Sequence, residues 1–234
     1  MSRVAVITGG TGGLGTALAR RLRRHDYRLA VTYLLPEEAE RFEHDMEADE
    51  ERLILRRVDA TNPEAVTGFF KEVEEQFGAV HAMCSLVGGW AGGRDVEDTD
   101  DVRFERMLDL NLRSAFYSVR AVIPHLKRAG WGRIVLVGSR AAFDTPAGQA
   151  AFNISKAGVV ALAKTTAQEL DGTEITANVL LPSVIDTPAT RAALPYSDYV
   201  AWPTPDEIAS VAEFLLSEQS GVINGAAIPV YGRA

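Results

Sequence analysis

The chain has 234 residues, 47% of them hydrophobic, and its 24 Lys and Arg against 32 Asp and Glu leave a formal charge of −8. This suits one globular domain, 1–234, and an acidic total without a basic stripe argues against nucleic acid as a partner. The single Cys forms no internal disulfide or thiol-ligated metal site, no apolar run reaches the roughly 18 residues of a membrane span, and MSRVAVITGG meets glycine before a signal-peptide core could form. The expectation is a cytoplasmic protein with no metal and no membrane partner.

Apolar stretches of strand length alternate with stretches of helical period along the whole chain, the pattern of βαβ units. Strands are expected at 3–8, 28–34, 52–58, 79–86, 132–138, 175–181 and 226–230. They predict an α/β, Rossmann-like, doubly wound seven-stranded parallel sheet with helices on both faces. The continuously apolar VAVITG, IVLVG and ANVLL read as central strands covered on both sides. Thr61-Asn62-Pro63-Glu64 supplies a cap, a proline at the first helical position and an early carboxylate, which predicts a helix over 63–77. From about 102 to 129, Phe104, Leu108, Leu112, Ala115, Phe116, Val119, Val122, Ile123 and Leu126 recur three and four apart, with Pro124 expected to kink the helix near its end. Acidic runs at 37–51 and 95–101 read as solvated faces.

After the first strand comes Thr8-Gly9-Gly10-Thr11-Gly12-Gly13-Leu14-Gly15, then the helical ALARRLRR. Five glycines in seven positions cost too much backbone entropy to be ordinary turn filler. They let the chain turn sharply and approach a pyrophosphate, while free N–H groups and the dipole of the next helix favour the anion. A tight connection without a ligand is the plainer alternative, but both flanking elements match the phosphate-binding context.

Gly9, Gly13 and Gly15 stand in a Gly-x-x-x-Gly-x-Gly spacing, and with them the chain resembles the short-chain dehydrogenase/reductase family over essentially its whole length. The resemblance implies a nicotinamide dinucleotide, NAD or NADP, on Thr8, Gly9, Thr11, Gly13, Leu14 and Gly15, with Asp59 and Ala60 at the adenine. It places Val87, Gly88, Asn178, Pro182 and Thr187 towards the nicotinamide and Lys156 on its ribose. Asn111 in LDLNL matches the family's helix Asn, and Ser139 in VLVGS its active-site Ser. Where relatives usually read Asn-Asn-Ala-Gly, this chain reads Ser85-Leu86-Val87-Gly88 and continues to Trp90. That departure, with LPSVIDTPATR and Trp202 near Pro203 and Thr204, is similar to the dihydropteridine reductase branch. It implies a flat heteroaromatic ligand near Trp90, unless Trp90 packs against neighbouring loops.

Relatives usually carry Tyr-x-x-x-Lys thirteen residues after the Ser; here that register holds Phe152, with Lys156 one helical turn on. Reducing a carbonyl by hydride requires a proton for the developing alkoxide, and a phenyl ring has none to give. General acid catalysis is worth about 10² to 10⁴ in rate, so the usual route is expected to be severely weakened. Several outcomes stay open. Ser139 still offers a hydrogen bond, and a water between Lys156 and Asn111 is a candidate proton source. An electron-poor imine or quinonoid substrate would need no proton from the protein. Tyr196 or Tyr199 could lend a hydroxyl, although surface packing is the plainer reading of both.

The expected function is therefore NAD(P)-dependent hydride transfer to or from a carbonyl, imine or quinonoid small molecule at an altered proton-transfer site. The alternatives are a non-catalytic NAD(P)-binding regulatory or structural protein, or an engineered inactive variant. Retention of Ser139, Lys156 and Asn111 favours the enzyme; Phe152 favours the alternatives.

Cofactor choice is usually made at the end of the second strand, which here reads VTYLL and offers neither carboxylate nor arginine. Gly12 stands where phosphate-preferring relatives often have Arg, and Glu37 and Glu38 lie close enough to repel a phosphate, which tilts the expectation towards NAD. Helices at 102–129 and 150–170 imply a homodimer or homotetramer through the resemblance. Cys84 reads as a core thiol and His25, His44, His81 and His125 as structural or solvated, while VGSRA lacks the pattern of a nucleophile elbow.

Overall fold

The computed structural model describes residues 2–46 and 51–233. Seven strands, β1 (Val4–Thr8), β2 (Arg28–Tyr33), β3 (Leu53–Arg57), β4 (Ala82–Ser85), β5 (Gly132–Val137), β6 (Ile175–Pro182) and β7 (Ala227–Val230), form one sheet in the order β3-β2-β1-β4-β5-β6-β7. Every adjacent pair is parallel. The helices are α1 (Gly13–Arg24), α2 (Pro36–Met46), α3 (Pro63–Phe77), α4 (Asp101–Met107), α5 (Ser114–Ala129), α6 (Ala141–Asp144), α7 (Ala150–Glu169), α8 (Pro188–Ala193) and α9 (Pro205–Leu216).

β1 and β6 are buried at every position, as strands covered by helices on both faces should be, whereas the edge strand β3 ends in the exposed Arg56 and Arg57. Two clusters fill the spaces above and below. Phe69, Phe70, Val119, Val122 and Val159 pack one face through α3, α5 and α7. Leu18, Leu22, Phe42, Ile208 and Leu215 pack the other through α1, α2 and α9. The chain reverses direction across the sheet between β1 and β4, and this is where open α/β sheets leave a crevice beyond their C-terminal strand ends.

The predicted helix over 63–77 forms with those bounds: Asn62 Oδ1 accepts the Ala65 N–H at 2.9 Å, and Gly78 ends the helix at φ 80°. Two expectations change. The strand expected over 79–86 is confined to Ala82–Ser85, residues 79 and 80 being spent on the exit from the Gly78 turn. The long helix is not one α-helix: a π-helical turn, Leu108–Arg113, separates α4 from α5, while α5 runs through Pro124 without ending. A π turn holds an extra residue and so rotates the faces on either side, a device concentrated at functional sites. Residues 47–50 of the acidic run at 37–51 lie outside the described residues. Among the described residues, no helix is long and apolar enough to cross a membrane.

Candidate functional site

The glycines do different work. Gly9 has φ +68°, its N–H donates to Thr32 Oγ1 at 2.9 Å, and a Cβ there would lie 2.8 Å from Val87 Cγ2 and 3.0 Å from the Val87 nitrogen. At Gly10 a Cβ would meet Val31 at 2.7 Å and Ile7 at 2.8 Å. At Gly15 it would fall 2.5 Å from the Gly10 Cα and carbonyl carbon, so α1 can leave the turn only because no side chain intervenes. Gly12 and Gly13 face the other way: a Cβ on Gly12 meets nothing within 4 Å, and one on Gly13 meets only Thr187 Cγ2 at 3.5 Å and Pro205 Cγ at 3.8 Å. They border an open cleft.

Helix α1 starts at that cleft with Gly12 as its cap, no side chain capping it and no acidic residue in its first turn. Its first amides, at Gly13, Leu14 and Gly15, are therefore left for an anion. The threonines serve the turn itself. Thr8, 2% exposed, donates through Oγ1 to Ser85 Oγ at 3.3 Å and links β1 to β4. Thr11 Oγ1 donates to Glu38 Oε2 at 3.1 Å, which brings the first turn of α2 against the glycine-rich bend.

Beyond β4, Gly88 is the meeting point. A Cβ at Gly88 would lie 2.8 Å from Asn111 Oδ1 and 3.1 Å from Lys156 Nζ, so three distant segments converge there only because this residue is glycine. Asn111 projects from the π turn, 1% exposed; its Oδ1 accepts the Gly89 N–H at 2.9 Å, and its Nδ2 donates to Gly89 O at 3.0 Å and Ser155 Oγ at 3.1 Å. Lys156 Nζ donates to the Val137 carbonyl at 2.9 Å, and burial pulls its ammonium down from 10.5 to about 8.

Ser139 lies two residues beyond the end of β5, and its Oγ accepts the Ala141 N–H at 3.1 Å. Phe152, 9% exposed, lies one turn before Lys156 and packs with Met107, Ala141 and Ala151, with Ala91, Phe104 and Leu110 against the same cluster. Through Ala141 the turn carrying Ser139 is tied to the ring at position 152.

Other expected residues take mixed places. Asp59 is exposed, and its Oδ1 accepts from the Thr61 N–H at 2.9 Å and the Thr61 hydroxyl at 2.7 Å; Ala60 beside it is buried. The Pro182 carbonyl accepts the Arg140 N–H at 2.9 Å, and Thr187 caps α8 through Thr190 while facing Gly13 across the cleft. Asn178 is turned elsewhere: its Nδ2 donates to Ile223 O at 2.8 Å and its Oδ1 accepts the Ala226 N–H at 2.9 Å, fastening the segment before β7 to β6.

Trp90 is 63% exposed, with its indole N–H on Gln149 Oε1 at 2.7 Å and its ring over Gly92. Tyr196 stands fully in solvent, and Tyr199 packs edge-on against Trp202 at 5.8 Å beside Arg191, so neither is seated with Lys156. Cys84 is fully buried with its thiol pushed up by desolvation, and His81 accepts the Val4 N–H at 3.1 Å. His25 and His125 pair with Glu213 and Glu74. Among the described residues, no His, Cys, Asp and Glu cluster could hold a metal. Two contributors carry no sequence motif: Ser155, which ties Asn111 to α7, and Gln149, which fixes Trp90.

Residues 3–196 match the short chain dehydrogenase family. The chain is 34% identical to the 3-oxoacyl-[acyl-carrier-protein] reductase MabA of Mycobacterium tuberculosis over 99% of this chain and 92% of the relative. It is 30% identical to the 2-(R)-hydroxypropyl-CoM dehydrogenase of Xanthobacter autotrophicus, over 99% and 98% of the two chains. Among solved structures, NAD+-bound xylitol dehydrogenase is 26% identical with a TM-score of 0.91 over 98% of each chain. The gox2181 structure is 30% identical with a TM-score of 0.92 over 99% of this chain and 95% of that one. A parallel sheet reversing at a glycine-rich bend, matched along its length by these enzymes, places the chain in the short-chain dehydrogenase/reductase family of oxidoreductases.

Proposed function

We propose that this protein is an NAD-dependent oxidoreductase that exchanges hydride with a carbonyl, imine or quinonoid small molecule, at a site where residue 152 supplies no proton. The observation that carries the reading is the convergence of Asn111, Lys156 and Gly88 beyond β4, beside a bend whose Gly12 and Gly13 open onto an uncapped helix start. The residues fit the dinucleotide: the α1 amides suit its phosphates, and the buried Lys156 donor suits a ribose hydroxyl. When bound, the nicotinamide supplies or accepts the hydride.

The chain's own groups do the rest. Gly9 and Val87 bring the glycine bend against the segment after β4, and Thr187 narrows the cleft opposite Gly13. Asp59, exposed past β3, has its second carboxylate oxygen available for the adenine. Ser139 would donate its hydroxyl to a substrate oxygen, and Trp90 would offer its ring to a flat substrate. A second reading, a dinucleotide-binding protein without turnover, draws on the apolar packing of the Phe152 ring.

Glu38 sets the cofactor preference in this proposal. Its carboxylate reaches Thr11 in the bend, where it would welcome ribose hydroxyls and repel a 2′-phosphate. Fluorescence titration is expected to show tighter binding of NADH than of NADPH, with Glu38→Arg shifting the ratio of dissociation constants by about tenfold or more towards NADPH. Equal affinities in the parent, unchanged in the variant, would remove Glu38 from this role. Turnover of NADH with ketones, quinonoid dihydropterin and quinones separates the enzyme from the binding-only reading.

The assembly proposed is a homodimer or homotetramer built on α5 and α7, which leave Phe116 45% and Ile154 51% exposed. Sedimentation velocity is expected to return a species of two or four chains, which Phe116→Glu weakens; a monomer at micromolar concentration contradicts it.

A further inference from the structure

We propose that Lys156 itself delivers the proton to the substrate oxygen during carbonyl reduction, in place of the side chain at 152; this rests on the dinucleotide reading above. The argument begins with which groups at the site can give up a proton. Phe152 has none, Asn111 is committed through its amide to Gly89 and Ser155, and Ser155 Oγ donates to the Phe152 carbonyl at 2.8 Å. Ser139 has a hydroxyl but no base behind it: the contact at its Oγ is the Ala141 N–H, which it accepts. That leaves the ammonium of Lys156.

Among the described residues the ammonium has one acceptor, the Val137 carbonyl, and it has three N–H bonds to place. The absent Cβ of Gly88 leaves the space that Nζ and Asn111 Oδ1 both approach, and Phe152, one turn earlier on the same helix, ends one oxygen short of a phenol. Positions 152 and 156 share one face of α7, which puts the remaining donor capacity on the side where that oxygen is missing.

The elements packed around Lys156 are β5, the segment after β4, the π turn and α7 itself. Of the charged side chains these elements carry, Asp109 is paired with Arg113, and Arg133 spends its guanidinium on the Gly132, Glu174 and Ser217 carbonyls at the other end of β5. No carboxylate holds the proton on, and desolvation favours its loss, leaving the group at about 8, close to the pH at which it would work.

The step balances. Hydride from the reduced dinucleotide adds to the carbonyl carbon, the C=O π pair moves onto oxygen, and that oxygen forms its O–H bond as one Lys156 N–H bond breaks. Lysine is left as the neutral amine, the dinucleotide in its oxidised form, and solvent returns the proton.

The test is the pH dependence of single-turnover NADH oxidation by the full chain, with an aliphatic 3-oxoacyl thioester and, separately, an electron-poor ortho-quinone. With the thioester, the parent rate is expected to fall about tenfold per pH unit above about 8. The quinone, whose reduced oxygen is a weak base, is expected to show no such limb. Lys156→Arg keeps a cation for the ribose but holds its proton too firmly, so it is expected to lose about 10²-fold in rate with the thioester and to lose the limb, while still binding NADH. An arginine variant that keeps both the rate and the limb overturns the proposal, as does a parent rate independent of pH. A parent that binds NADH yet turns over nothing overturns it too, and a parent that binds no NADH removes the reading beneath it.

Discussion

Phe152→Tyr is expected to raise the turnover of ketone substrates by about 10² to 10⁴-fold, with little change in NADH affinity. The ring at 152 is 9% exposed and held by Met107, Ala141 and Ala151, so the added oxygen must emerge at the ring's far end, on the helix face shared with Lys156. A free phenol titrates near 10, and an adjacent ammonium stabilises phenolate, bringing the hydroxyl towards working pH. The variant then has an acid better placed than Lys156 acting alone, and the alkaline limb of its rate becomes a property of the coupled phenol and amine rather than of the amine. Kinetics of parent and variant with the same ketone check this. If turnover appears only in the variant, the parent is a disabled enzyme. If the variant gains nothing while both bind NADH, position 152 does not face the reacting carbon, and the reading of the site fails with it.

The buried first strand and the glycine bend are legible because their causes are local. An apolar run covered on both faces, a turn that tolerates no Cβ and a helix start with free amides are all written within residues 4–24. The same holds for α3, whose cap, proline and terminal glycine lie within the element and its flanks. Legibility ends where the partner is distant in sequence. The apolar spacing from 102 to 129 persists through the π turn, since one extra residue does not interrupt an apolar stripe, and the rotation that turns Asn111 inward is set by Gly89 and Ser155. Asn178 sits inside a recognisable motif yet spends its amide on Ile223 and Ala226, residues that only the closing of β7 brings near. Charge alone points to Glu37 and Glu38; the contact of Glu38 with Thr11 depends on how α2 returns over the bend.

Gly15→Ala is expected to destabilise the chain by about 3 kcal/mol and to abolish measurable NADH binding. The added methyl group would press on the Gly10 Cα and carbonyl, and backbone cannot swing aside as a flexible side chain can. Either α1 retreats from β1, disturbing the packing of Leu18 and Leu22 beneath it, or the bend opens and its amides lose their common aim. Both changes strike the phosphate site as well as the core. Gly12→Ala is the control. Its methyl group enters open space and its φ of −73° suits alanine, so the fold should lose less than about 1 kcal/mol, the difference between the two residues as helix caps. Its effect should instead fall on affinity, because the cleft it enters is where the phosphates are proposed to lie. Urea unfolding and NADH titration of the two variants separate the effects: Gly15→Ala is expected to fail in both measurements and Gly12→Ala in the second alone. If Gly12→Ala binds NADH as the parent does, the phosphates lie elsewhere and the amides at the start of α1 are not their site.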